Sequence, residues 1–125
     1  MYFLNYAVNA NANHFNDQNG NVSDNNMNFD LSQNVFRVAY YGKSSSKKSF
    51  VANVAVPLGR ISLKDDTDSG LGDITVASGY WVIDDNKAKT WVSLGLLTIL
   101  PTGNFDKNKT ANMGNNVYQI RPFWM

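Results

Sequence analysis

Few residues in this chain are of a type that does chemistry, and their spacing limits what they can do. Asp65, Asp66 and Asp68 precede Gly70, a grouping that invites a calcium loop. An EF-hand also needs a carboxylate at its twelfth position. Counted from Asp65, glycine falls sixth as required, but the twelfth residue is Val76. Residues 17–21 fail in a similar way, because Gly20 is misplaced. The single histidine, His14, lies in an asparagine-rich stretch with no cysteine or glutamate near it, so zinc has no ligand set. Nothing places a serine and an aspartate beside His14 for a triad. Asp84 and Asp85 are adjacent in a turn, where solvation is the ordinary state of a carboxylate pair. No glycine-rich loop opens a helix, so there is no phosphate cradle. We therefore expect no metal, no cofactor and no enzyme activity.

The remaining polar residues have a different pattern. Asn5, Asn9, Asp30, Asn34, Asn53, Ser93, Gln119 and Arg121 fall on the more polar parity of alternating segments. Such a row suits the wall of a lumen, where a few polar groups orient a small solute. These eight are the candidate pore-lining, ligand-contacting residues.

The elements that would carry them are strands. All ten acidic residues are aspartate, and asparagine, serine and glycine are abundant, which disfavours helix interiors. Six segments alternate with a period of two. Tyr2, Leu4, Tyr6 and Val8 oppose Phe3, Asn5, Ala7 and Asn9. Phe50, Ala52, Val54, Val56 and Leu58 oppose Ser49, Val51, Asn53, Ala55 and Pro57. Ile74, Val76, Tyr80 and Val82 oppose Thr75, Ala77 and Gly79. Val92, Leu94, Leu96 and Leu100 oppose Trp91, Ser93 and Gly95. Tyr118, Ile120 and Trp124 oppose Gln119 and Arg121, with Pro122 weakening the end of that strand. The segment 28–41 changes phase, from Phe29 and Leu31 to Phe36, Val38 and Tyr40, which predicts a bulge near residues 32–34.

The connections alternate strictly in length. Those at 42–48 and 84–89 are short; those at 11–27, 59–72 and 101–116 are long and polar. An up-and-down sheet then has its short turns at one rim and its long loops at the other. Tyr40, Tyr41 and Phe50, then Tyr80, Trp81 and Trp91, flank the two short turns. Tyr2, Phe3, Phe123 and Trp124 belong to the same end. An aromatic ring at one rim suits a membrane interface. Within the six segments only Asp30, Arg37, Asp73 and Arg121 are charged. Net charge is +1 with scattered lysines, so no nucleic-acid partner is expected. No apolar run reaches helix-spanning length.

The second half also carries an ordered series of motifs. Gly70-Leu71-Gly72-Asp73-Ile74-Thr75 opens a strand ending Tyr80-Trp81-Val82-Ile83. Leu100-Pro101-Thr102-Gly103-Asn104-Phe105-Asp106 follows, then Asn112-Met113-Gly114-Asn115-Asn116-Val117-Tyr118. Upstream, Val56-Pro57-Leu58-Gly59 fits the same series. In this order the chain resembles the phenol degradation protein meta family, also described as the MetA pathway of phenol degradation. The resemblance implies a bacterial outer-membrane β-barrel channel that passes small aromatic or hydrophobic compounds. It also implies that members are about twice this length or more, so that the chain corresponds to their N-terminal portion.

The expectation is thus a single all-β unit over residues 1–125: an antiparallel up-and-down meander of about six strands, part of a transmembrane β-barrel. Its partners would be outer-membrane lipid and a small aromatic or hydrophobic solute. Closure would need further C-terminal strands or self-association. The alternative is a soluble β-sandwich or small barrel that binds a ligand, with the apolar parity turned inward.

Overall fold

The computed structural model describes residues 1–23 and 27–125. Residues 24–26, inside the first long connection, lie outside the described residues. The chain is all-β. In order, the strands are β1 (Tyr2–Ala12), β2 (Phe15–Asn16), β3 (Val22–Ser23), β4 (Phe29–Lys43), β5 (Ser49–Leu63), β6 (Asp66–Leu71), β7 (Ile74–Asp85), β8 (Thr90–Leu100) and β9 (Gln119–Trp124).

One sheet takes the order β1-β4-β5-β7-β8-β9, with β6 added to β5; β2 and β3 form a separate short hairpin. Every pairing is antiparallel. The six expected strands are therefore present as a meander. The sheet remains open, with β1 and β9 as its edges. No second sheet packs face to face on it among the described residues, so the sandwich alternative is set aside.

Directly paired residues put their side chains on the same face, so the registers define two faces across the whole sheet. One face is sheltered. Its middle holds Val35, Ala39, Ala55 and Ser93, all buried; Ser93 is 2% exposed. The other face is open, and there Phe36 is 50% and Leu94 55% exposed. Small side chains on the sheltered face allow the sheet to coil toward that side, as twisted sheets do.

The predicted bulge at residues 32–34 is absent. The strand β4 pairs with β5 without interruption from Asp30↔Ser62 to Lys43↔Ser49. The apolar parity changes because the surroundings change along a 15-residue strand. Near its start Phe29 and Leu31 share the sheltered face with Ile61, while Asp30 and Ser32 face out beside Ser62 and Arg60. Further along, Phe36, Val38 and Tyr40 are the outward residues.

Two irregularities occur elsewhere. Between Trp81 and Ile83 the β7–β8 register shifts by one residue. That shift turns Asp84 onto the sheltered face, where Ser49 Oγ donates to its Oδ2 at 2.6 Å. The second irregularity joins β6 to β7. The registers Leu58↔Leu71 and Ala55↔Thr75 set three steps of β5 against four of its partner. One extra residue is accommodated at Gly72–Asp73, where the Gly72 N–H donates to the Pro57 carbonyl at 2.9 Å. Thus β6 and β7 lie end to end along the same edge of β5, as one strand broken by a bulge.

This corrects the expected long connection at 59–72. The strand β5 continues to Leu63, turns at Lys64 (φ 56°) and returns as β6. The proline in β9 is also explained. Ser93 and Met125 exchange both backbone hydrogen bonds. Alternate residues of β9 therefore face β8, and Pro122 presents its missing N–H to the free edge, where no ladder bond is lost.

Candidate functional site

The open face is apolar over a continuous band. From Phe50 to Leu58 it carries, across the strands, Val38 with Val54 and Val76, then Tyr80 with Leu94 and Trp124. At ~3.4 Å per residue the eight steps from Phe50 to Leu58 run about 27 Å along the strand. A strand tilted by about 40° turns this into about 21 Å of depth. Above Leu58 the same face becomes polar with Ser32, Arg60, Asp30 and Ser62. Within the band the polar open-face groups are small hydroxyls, Ser78 and Thr98, with Asn5 on the edge strand β1 and Asn34 beside Leu58 at its upper limit.

The aromatics collect at the short-turn end, as their sequence positions imply. Phe3, Tyr40, Phe50, Tyr80 and Trp124 lie on the open face; Tyr2, Tyr41, Trp81 and Phe123 lie on the sheltered one. Tyr2 and Tyr41 meet edge to face at 5.6 Å, and Tyr40 and Phe50 lie 5.9 Å apart. The Tyr80 hydroxyl reaches the turn after β4, 3.0 Å from Ser46 Oγ.

The eight candidate lining residues do not share one face. Asn53, Ser93, Gln119 and Arg121 lie together on the sheltered face. Asn5, Asn9, Asp30 and Asn34 lie on the open face, because Asn5 pairs with Phe36, Asn9 with Ser32, Asp30 with Ser62 and Asn34 with Leu58. Their polarity marked the edge strand, the upper limit of the apolar band and the rim above it, rather than the interior. In exchange the register brings in Arg37, which faces Leu4 and Ala55 on the sheltered side. Its guanidinium lies over the Tyr6 ring, 5.5 Å from the centroid.

The long segment after β8 folds back over the long-connection end of the sheltered face. Three aspartates of β6 and the bulge hold it. Asp66 Oδ2 accepts from the Thr110 and Ala111 N–H groups at 2.5 and 3.1 Å. Asp68 Oδ2 accepts from the Met113 N–H at 2.9 Å, and Lys109 Nζ stands 3.8 Å from its Oδ1. Asp73, only 9% exposed, accepts from the Gly103 N–H on Oδ1 (3.0 Å) and the Asn115 N–H on Oδ2 (2.7 Å). Asn104 Nδ2 donates to the Ser69 carbonyl at 2.9 Å. Gly103 and Gly114 pass so closely that a Cβ on Gly103 would lie 2.7 Å from Gly114 Cα, which no side chain tolerates. Ala111, within this loop, is buried at 1% exposure.

The aspartate cluster that resembled a calcium loop is thus a set of loop anchors. Asp66 and Asp68 are two apart on one strand and so point the same way. That alternation is visible in Asp66-Thr67-Asp68-Ser69, but aspartate and serine argue against a strand by propensity, and sequence reasoning passed over it. Asp106 and Asn112 tie the loop to itself, the Asp106 N–H donating to Asn112 Oδ1 at 2.7 Å. Among the described residues no group of acidic or imidazole side chains is arranged to hold a metal.

Backbone N–H donors, those of Ala111 first and Thr110 and Thr67 with it, hold the Asp66 carboxyl below its usual range. A carboxylate lowered on folding supports the docked loop above its unfolded value of about 3.9 and loses that support as pH falls through the folded value. Amide-exchange protection at Thr110 and Ala111 should therefore persist from neutral pH to about 4 and decline below it. Asp66→Asn should remove this pH step and leave both amides weakly protected throughout.

A single open antiparallel meander, with a bare apolar face and a sheltered face whose middle is buried, defines an all-β protein. The chain matches the family described as "Putative MetA-pathway of phenol degradation" over residues 12–125, and it belongs to that family. Neither a curated protein nor a solved structure matches it.

Proposed function

We propose that the chain is part of an outer-membrane β-barrel channel that passes small aromatic or hydrophobic compounds. The carrying observation is the bare apolar band of the open face, about 21 Å deep by the tilt argument and bordered by aromatics at the short-turn end. Hydrocarbon is the surrounding that such a face fits. Outer-membrane barrels carry an apolar band about 25 Å tall between aromatic girdles, with short turns at one rim and longer loops at the other. Open edges are costly in lipid, so the free sides of β1 and β9 pair with further strands in the working assembly, supplied by a longer chain or another copy. The sheltered face then lines the lumen, and the docked loop of residues 101–118 narrows its long-loop end. The family's description supports an aromatic solute.

The test is insertion. Refolded into vesicles of lipids brominated on the acyl chain, the protein should show quenched tryptophan fluorescence. Much of the quenching should disappear in Trp124→Phe, because Trp124 is the open-face tryptophan at the edge of the band. Planar bilayers should show stepwise conductance. A chain that stays monomeric and melts cooperatively in detergent-free buffer, with no quenching, would refute the proposal.

A further inference from the structure

The middle of the sheltered face carries two charged side chains among the described residues, Arg37 and Arg121, and both are cationic. They lie on adjacent rungs of the sheet. One rung runs from Leu4 through Arg37, Ala55 and Thr75 to Gln119. The next runs from Ala39 through Asn53 and Ala77 to Arg121. Between the two arginines the floor is small on β5 and β7, with Ala55, Asn53, Thr75 and Ala77, and apolar on β8, with Ile99 and Leu97.

The carboxylates of this face are already engaged. Asp66, Asp68 and Asp73 receive loop N–H groups, and Asp84 receives Ser49. Arg121 donates to Gln119 Oε1 beside it. Arg37 is different. Its buried Nε has no hydrogen-bond acceptor among the described residues, and the Tyr6 ring beneath the guanidinium orients it without giving that Nε an acceptor. An unsatisfied buried donor is costly, and a planar guanidinium fork matches a carboxylate bidentately.

From this we infer that Arg37, positioned by Tyr6, is a binding site for the carboxylate of a small aromatic acid, whose ring rests on the floor of Ala39, Asn53 and Ala55. The inference rests on reading the sheltered face as a solute pathway, and it narrows the solute from aromatic compounds in general to anionic ones. A cationic wall favours anions in a pore. The side chains flanking the floor, Leu4 and Tyr6 on one side and Leu97 on the other, give an aryl ring apolar surface to cover.

The experiment measures binding to the full chain folded in detergent micelles, by calorimetry at neutral pH. The probes are sodium benzoate and benzyl alcohol, which share a ring and differ in charge. Benzoate should bind about tenfold or more tightly than benzyl alcohol, as expected for a charge-assisted bidentate pair. Arg37→Gln should abolish that preference by lowering benzoate affinity to about that of benzyl alcohol; Arg121→Gln should leave most of it. Circular dichroism checks the fold, and should Arg37→Gln not fold, Arg37→Lys keeps the charge without the fork and should give an intermediate preference. Equal affinity for the two probes, a preference that survives removal of the guanidinium, or one that depends on Arg121 instead would overturn the inference. Bromolipid quenching is measured on the same protein. Quenching without benzoate preference sinks this inference and leaves the membrane reading standing; benzoate preference without quenching does the reverse.

Discussion

Val76→Arg should prevent stable insertion into lipid, whereas Ala77→Arg, one residue along the same strand, should not. Val76 pairs with Val54 and Thr98 in the middle of the apolar band, on the open face. Ala77 pairs with Asn53 and Leu97 on the sheltered face. An arginine turned to lipid at mid-depth costs about 2–4 kcal/mol, enough to reduce the inserted population by roughly 30-fold to 1,000-fold. An arginine turned inward joins a face that already carries Arg37 and Arg121 and keeps its hydration. Bromolipid quenching compares the two variants directly. The pair also separates hydrocarbon from water outside the sheet. In water, Val76→Arg replaces an exposed apolar side chain with a solvated one and should be harmless. Equal insertion of both variants would contradict the assignment of faces.

The second large effect is expected at Asp73. Its two carboxylate oxygens each accept one loop N–H, from Gly103 and Asn115, in a nearly buried position. Hydrogen bonds to a charged group contribute about 1.5–3 kcal/mol each, and a buried donor stripped of its acceptor also loses its solvation. Asp73→Ala should therefore cost about 3–5 kcal/mol and release residues 101–118 from the sheet. Trypsin should then cut after Lys107 and Lys109 much faster than in the parent protein, and the denaturation midpoint should fall. Asp73→Asn keeps one carbonyl oxygen and should lie between the two. Unchanged cleavage in Asp73→Ala would mean that Asp66, Asp68 and the Gly103–Gly114 contact hold the loop without it.

Much of this fold was legible because strand alternation is local. The parities of β5, β7, β8 and β9 were readable from residues such as Val54 against Asn53 and Leu94 against Ser93, and the registers agree with them. The alternation of connection lengths placed the aromatics at one end correctly. The strand β6 was illegible by composition, since its aspartates and serine look like a loop until Ile61 and Leu63 of β5 supply a ladder for them. The docking of residues 101–118 was only partly readable. The motif residues that form it were visible in order, but which N–H groups Asp73 receives depends on where the bulge at Gly72–Asp73 turns its carboxylate.

The sequence by itself determined that the chain is a meander of alternating strands, each with one apolar parity over most of its length, because that pattern needs only neighbouring residues. Which parity of each strand meets which face of its neighbour was decided by the tertiary structure. Asn5 and Asn34 face outward and Arg37 inward because antiparallel ladders lock β1, β4 and β5 into one register, and a single-residue step would have exchanged the two faces.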